Sequence, residues 1–129
     1  MKKVFLYISP DGESPFLRFL SVMEPKLRTK LVQGIGNLAA IPEYRTEPHV
    51  KHFSLERYAA LYEYRARMRI MVRVIFTLDG DGNIILLHPM VKKQDRNTMQ
   101  TLETSLRMLD RLKQGEASLV EYTGKEVVG

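Results

Sequence analysis

The stretch Leu61-Tyr62-Glu63-Tyr64-Arg65-Ala66-Arg67-Met68-Arg69-Ile70-Met71-Val72-Arg73-Val74-Ile75-Phe76-Thr77-Leu78 decides the fold. Its first part alternates, setting Glu63, Arg65 and Arg67 against Tyr62, Tyr64 and Ala66. Successive side chains of a strand point to opposite faces, so one face is charged. The second part sets Ile70, Val72, Val74 and Phe76 against Met71, Arg73, Ile75 and Thr77, which makes Arg73 a lone cation in an otherwise apolar strand. A hairpin centred on Arg69 puts Arg65 directly across from Arg73, and like charges so placed repel. Either a bound anion or a pairing of Glu63 with one of the two arginines on a wetted face removes that penalty. Met68-Arg69-Ile70 contains no Gly or Asn, so the turn itself does not pin the register.

Extended character continues on both sides, with β-branched and aromatic residues in His49–Leu55, Ala59–Arg67, Ile70–Leu78 and Ile84–His88. Asp79-Gly80-Asp81-Gly82-Asn83 supplies a second hairpin turn, because Gly and Asn accept positive backbone angles. Upstream of Pro48 the period is helical. Leu27, Leu31, Ile35 and Leu38 predict a helix from about Pro25 to Ile41-Pro42, weakened by Gly34 and Gly36. Asp11-Gly12-Glu13-Ser14-Pro15 predicts a turn, a capping serine and a short helix to about Val22, preceded by a first strand over Lys3 to Ser9. Downstream, Asn97 or Thr98 caps a last helix, with Gln100 completing a capping box after Asn97. Leu102, Leu106, Leu109 and Leu112 give it a packing face, and Gly115 ends it. The expected fold is α+β, a small twisted antiparallel sheet with two N-terminal helices on one face and a C-terminal helix. Its other face is expected to be free for a ligand. Residues 1–114 are expected to form a single domain, and 115–129 a C-terminal tail without assigned structure.

Composition narrows the function. With 129 residues, 44% apolar and 27% charged, the chain supports one globular core and excludes wholesale disorder. No cysteine is present, which excludes disulfides, thiolate nucleophiles and cysteine-ligated metals and makes a reducing cytoplasm the expected home. The N-terminal apolar run ends at Ser9-Pro10, too short for a signal peptide or a membrane span. The net charge of +5 is concentrated, since residues 51 to 96 hold nine Lys or Arg against five Asp or Glu. A local basic excess favours an anionic partner. His49, His52 and His88 show no metal spacing, and the glycines match no phosphate loop, so neither metal nor cofactor is expected.

Leu61-Tyr62-Glu63-Tyr64-Arg65, then Arg73-Val74-Ile75-Phe76, then Leu86-Leu87-His88-Pro89-Met90-Val91-Lys92-Lys93 and a capped helix together resemble the phage-derived HigB-like branch of the RelE/ParE toxin superfamily. The resemblance runs from about Val4 to Leu112. It departs from the usual pattern at Tyr64, Val72, Met90 and Met99. It implies a metal-free endoribonuclease of a type II toxin–antitoxin pair that cleaves mRNA on the ribosome and is silenced by a cognate antitoxin. Cleavage of this kind requires a base, a cationic clamp on the phosphate and an acid. On the resemblance, Glu63 is the candidate base. Arg65 and Arg73 are the phosphate clamp, because guanidinium matches phosphate oxygens in a fixed fork. Lys92 or Lys93 is the candidate acid or charge stabiliser, and Lys51, His52, Arg67 and Arg69 are candidate contacts to the RNA backbone. The same superfamily contains ParE-type proteins that poison DNA gyrase by binding it, and an inactive nucleic-acid- or antitoxin-binding relative is a third class.

Overall fold

In the computed structural model, which describes residues 1–92 and 98–125, apolar alternation and helical periodicity resolve into nine regular elements. They are β1 (Val4–Ile8), α1 (Pro15–Ser21), α2 (Pro25–Ala40), β2 (Val50–His52), β3 (Tyr62–Arg67), β4 (Met71–Leu78), β5 (Ile84–Val91), α3 (Thr98–Lys113) and β6 (Ser118–Glu121). Single 3-10 turns cover Pro42–Arg45 and Glu56–Tyr58. Ser14 caps α1, its side-chain oxygen accepting from the Leu17 N–H, with Pro15 at the first helical position. Two arginines close helix ends that lack a C-terminal glycine. Arg28 donates to the Leu20 and Met23 carbonyls after α1, and Arg45 to those of Leu38 and Ala39 at the end of α2. Asn97 lies outside the described residues, so its proposed capping box is not described.

The sheet order is β2-β3-β4-β5-β1-β6. The expected α+β fold is present: strands β2 to β5 form the antiparallel meander expected from sequence, and the one departure from an antiparallel sheet is β1, which runs parallel to β5. The reason is topological, since α1 and α2 carry the chain away before β2 begins, and β1 is joined by a strand from the far side of the sequence. Ser118–Glu121, read as tail, pairs antiparallel with β1 through its backbone, a role that four residues cannot announce by periodicity. Strand β5 outruns its expected end at His88 and passes through Pro89. Lys92 N–H points at β4, where it donates to Met71, so by alternation the missing N–H of Pro89 faces the side where β1 has already ended. A bulge at Ile75/Phe76 re-aims β5 just before this point.

Two apolar clusters sandwich the sheet. Helices α1 and α2 bury Phe16, Leu20, Leu31, Ile35 and Leu38 against Val4, Leu6, Tyr64, Ala66, Val72, Val74 and Phe76. Each fully buried leucine contributes about 1.5–3 kcal/mol. On the other face, Leu102 and Met108 of α3 pack on Tyr7, Ile75, Ile85 and Leu87, together with Phe53, Tyr58 and Leu61. The second face is therefore not left free for a ligand as expected, because α3 has its own apolar stripe to bury. Glu103 of α3 fixes the helix by accepting from Arg57 Nε at 2.8 Å and from the Tyr58 hydroxyl at 2.6 Å. No described helix is long and apolar enough to cross a membrane.

Candidate functional site

The β3–β4 register pairs Arg65 with Arg73, and their guanidinium groups meet on one buried carboxylate. Arg65 donates its backbone N–H to His49 on the β2 side, so Arg65 and Arg73 form a non-hydrogen-bonded pair, the kind in which facing side chains lie closest. Glu63 sits one alternation earlier on the same face and reaches between them. Its Oε1 accepts from Arg65 Nε at 2.9 Å and its Oε2 from Arg73 Nη1 at 3.3 Å. Glu63 is 1% exposed and Arg73 9%, while Arg65 is half-buried and also meets the exposed Glu47 at 3.4 Å. Sequence reasoning offered Glu63 one arginine; the structure gives it both. The two guanidinium groups thus meet one buried and one exposed carboxylate, and Arg73 Nε is buried with no hydrogen-bond partner.

Further residues extend this face row by row. Arg73 pairs with Met90, whose sulfur accepts from the Thr101 hydroxyl at 3.1 Å, so the first turn of α3 is tied to the strand position beside Arg73. The next row carries Arg67, Met71 and Lys92, the last donating its N–H to Met71. Lys51 pairs with Glu63 across β2 and lies over the Phe53 ring at 5.5 Å. His88 pairs with Ile75, and burial holds its imidazole below the usual histidine pKa.

Other candidates are occupied elsewhere. His52 stacks on Tyr62 at 4.5 Å and its Nε2 lies 2.7 Å from the Ala59 carbonyl, which ties it to β2–β3 packing. Arg69, at the hairpin tip, is ion-paired with Glu24 at the start of α2 and thereby clips the hairpin to the helix. Arg67 is exposed at the end of β3. Lys93 lies outside the described residues.

A second feature was missed by sequence reasoning. The outer edge of β3 is covered by β2 only as far as Val50–His52, and beyond it a groove of about 350 Å³ opens between β3 and α2. Lys30, Gln33, Gly34 and Asn37 line one side at helical spacing, a stripe that in sequence reads as an ordinary solvated face. Gly34 weakens the helix but also makes room beside it. An added Cβ there would lie 2.1 Å from the Tyr64 hydroxyl, so the glycine is what lets the buried Tyr64 ring lie against the helix and floor the groove.

The family model described as phage derived protein Gp49-like (DUF891) matches residues 18–114, a span that contains α2, the whole meander and α3. No curated protein matches the chain.

Proposed function

The chain belongs to the phage-derived Gp49-like family, which is associated with RelE/HigB-like toxins, and from that premise we propose that it is the toxin of a type II toxin–antitoxin pair, an endoribonuclease that cleaves mRNA on the ribosome. The observation that carries this reading is the pair of facing arginines held on Glu63. Glu63 is the one buried counter-charge the two guanidinium groups share, and Glu47 meets Arg65 only from an exposed position, so a phosphate that takes the place of Glu47 gains more from the poorly hydrated pair than it would in water. Arg65 has the more exposed guanidinium, with 21% side-chain exposure against 10% for Arg73, and is the group that clamps a phosphate in its fork. Arg73 lies behind it and supplies positive charge that offsets the negative charge building up on the phosphate oxygens in the transition state.

This geometry favours a positioning part for Glu63 over that of a base. Both its oxygens are taken up by guanidinium groups, and its burial keeps a ribose hydroxyl from reaching it. Lys92, one row along the same face, is the candidate for protonating the leaving oxygen, with Lys93 beside it in sequence. The basic face also suits an acidic segment of a cognate antitoxin.

The test is induction of the protein in cells with RNA ends and plasmid supercoiling mapped together, beside Arg65→Ala. New RNA ends that vanish with Arg65→Ala are expected. Unchanged RNA with altered supercoiling would replace the nuclease by a gyrase poison, and normal growth at full expression would remove both.

A further inference from the structure

We propose that the groove between α2 and the free edge of β3 binds one nucleotide of the RNA strand that flanks the cleaved phosphate. This deepens the nuclease reading and rests on it. Arg65 lines the groove at the edge of β3 while its guanidinium meets Glu63 on the face opposite Tyr64 and Ala66, so a strand whose phosphate sits on Arg65 reaches the groove mouth with its neighbouring nucleotide by crossing that edge.

The lining has the chemistry a nucleotide needs. Tyr44 and His49 already stack on each other, with ring centroids 4.3 Å apart and planes 14° from parallel. Such a pair offers a flat π surface on which a third ring can continue the stack, and every base has a π face. Lys30 on α2 and Arg67 on β3 are both exposed at the groove, and neither forms an ion pair among the described residues. They differ in this from Arg57 and Arg69, which are paired with carboxylates, and Arg28 and Arg45 have their donors taken up by helix-end carbonyls. The side-chain amides of Gln33 and Asn37 supply donors and acceptors for a base edge. The volume of about 350 Å³ lies at the lower end of small-ligand sites. An acidic peptide would satisfy the cations but would leave the stacked rings without purpose, which is why a nucleotide is preferred to a segment of a partner protein.

Binding is measured by fluorescence anisotropy of a labelled single-stranded oligoribonucleotide with 2′-O-methyl riboses, which cannot be cleaved and so separates binding from chemistry. Lys30→Ala changes an exposed residue and is expected to fold normally. Loss of Lys30 or of the Tyr44 ring is expected to weaken binding about tenfold each, at unchanged melting temperature for Lys30→Ala. In cleavage assays with unmodified RNA on ribosomes, Lys30→Ala is expected to raise KM and leave kcat unaltered. If the protein cleaves RNA while Lys30→Ala, Tyr44→Phe and Tyr44→Ala bind and cleave like the parent, the groove proposal falls and the nuclease reading stands. Binding to an acidic antitoxin peptide that is weakened by Lys30→Ala, with RNA binding unchanged, also overturns it. If the parent neither binds nor cleaves RNA, the nuclease reading falls and takes the groove with it.

Discussion

Replacing Glu63 with Gln keeps the shape of the side chain and removes the negative charge between Arg65 and Arg73. Two unit charges about 5 Å apart in surroundings of effective dielectric about 20 repel by about 3 kcal/mol. Breaking a buried pair by removing one partner costs about 3–5 kcal/mol, and the half-exposed Arg65 can regain some hydration, so the lower figure applies. In a chain of this length, about 3 kcal/mol lowers the melting temperature by about 10 °C. Calorimetry or thermal circular dichroism of Glu63→Gln reads this directly. Arg73→Met should cost less, because it leaves Glu63 with Arg65 as partner and removes the unbonded Arg73 Nε. The double variant Glu63→Gln/Arg73→Met should melt above Glu63→Gln alone. A Glu63→Gln protein within about 2 °C of the parent, or a double variant less stable than both singles, would refute the shared-carboxylate account. The same variant separates positioning from base catalysis. Residual cleavage that keeps the acidic limb of its pH profile fits positioning, and loss of that limb makes Glu63 the base.

Gly36→Ala meets nothing within 4 Å and should stabilise by about 1 kcal/mol, whereas Gly34→Ala drives a Cβ into Tyr64 and should destabilise by about 1–3 kcal/mol despite the same gain in helix propensity; paired thermal melts decide. Hydrogen bonds from Arg57 and Tyr58 hold the Glu103 carboxyl down at about 2. Its folded pKa is below its unfolded one, so its contribution is complete above about 4.5 and is lost as pH falls toward 2. The melting difference between the parent and Glu103→Gln should therefore be full at pH 6 and vanish near pH 2. Burial depresses the His88 pKa below 6.5, so His88 stays neutral in the folded protein where an exposed histidine is half charged, and stability falls as pH drops from 6.5 through the folded value. An NMR titration of its ring protons that gives 6.5 or higher would contradict this.

The Arg65–Arg73 facing followed from the two-residue period once the hairpin is centred on Arg69, a centre that the turn residues did not pin and that the observed register has. Helix ends at Pro15, Pro25 and Ile41 were legible from proline and capping chemistry. Less local facts were not. Whether β1 lies parallel to β5, and that α3 takes the face opposite α1 and α2, depend on which apolar stripes meet across the sheet, and a single stripe does not carry its partner's address. The groove escaped for a related reason. Lys30 and Asn37 become neighbours of Tyr44 and His49 only after the chain between them has turned back, and Gly34 signals a close approach only once Tyr64 is known to lie over it.

The placement of β1 between β5 and β6 sets the order of events during folding. The meander β2 to β5 closes through short loops, while β1 must find β5 across about eighty residues and β6 across well over a hundred. The two halves of the sheet therefore run on separate clocks, the meander early and the β1 layer late. Until β6 arrives, Val4-Phe5-Leu6-Tyr7-Ile8 is an apolar strand with one open edge, the form of backbone most apt to pair with another molecule. Ser118–Glu121, with its four exposed side chains and the Lys3–Glu121 ion pair at its end, closes that edge. A chain cut after residue 114 should accordingly keep its arginine pair and lose its solubility, passing into aggregates through the edge that those four residues had sealed.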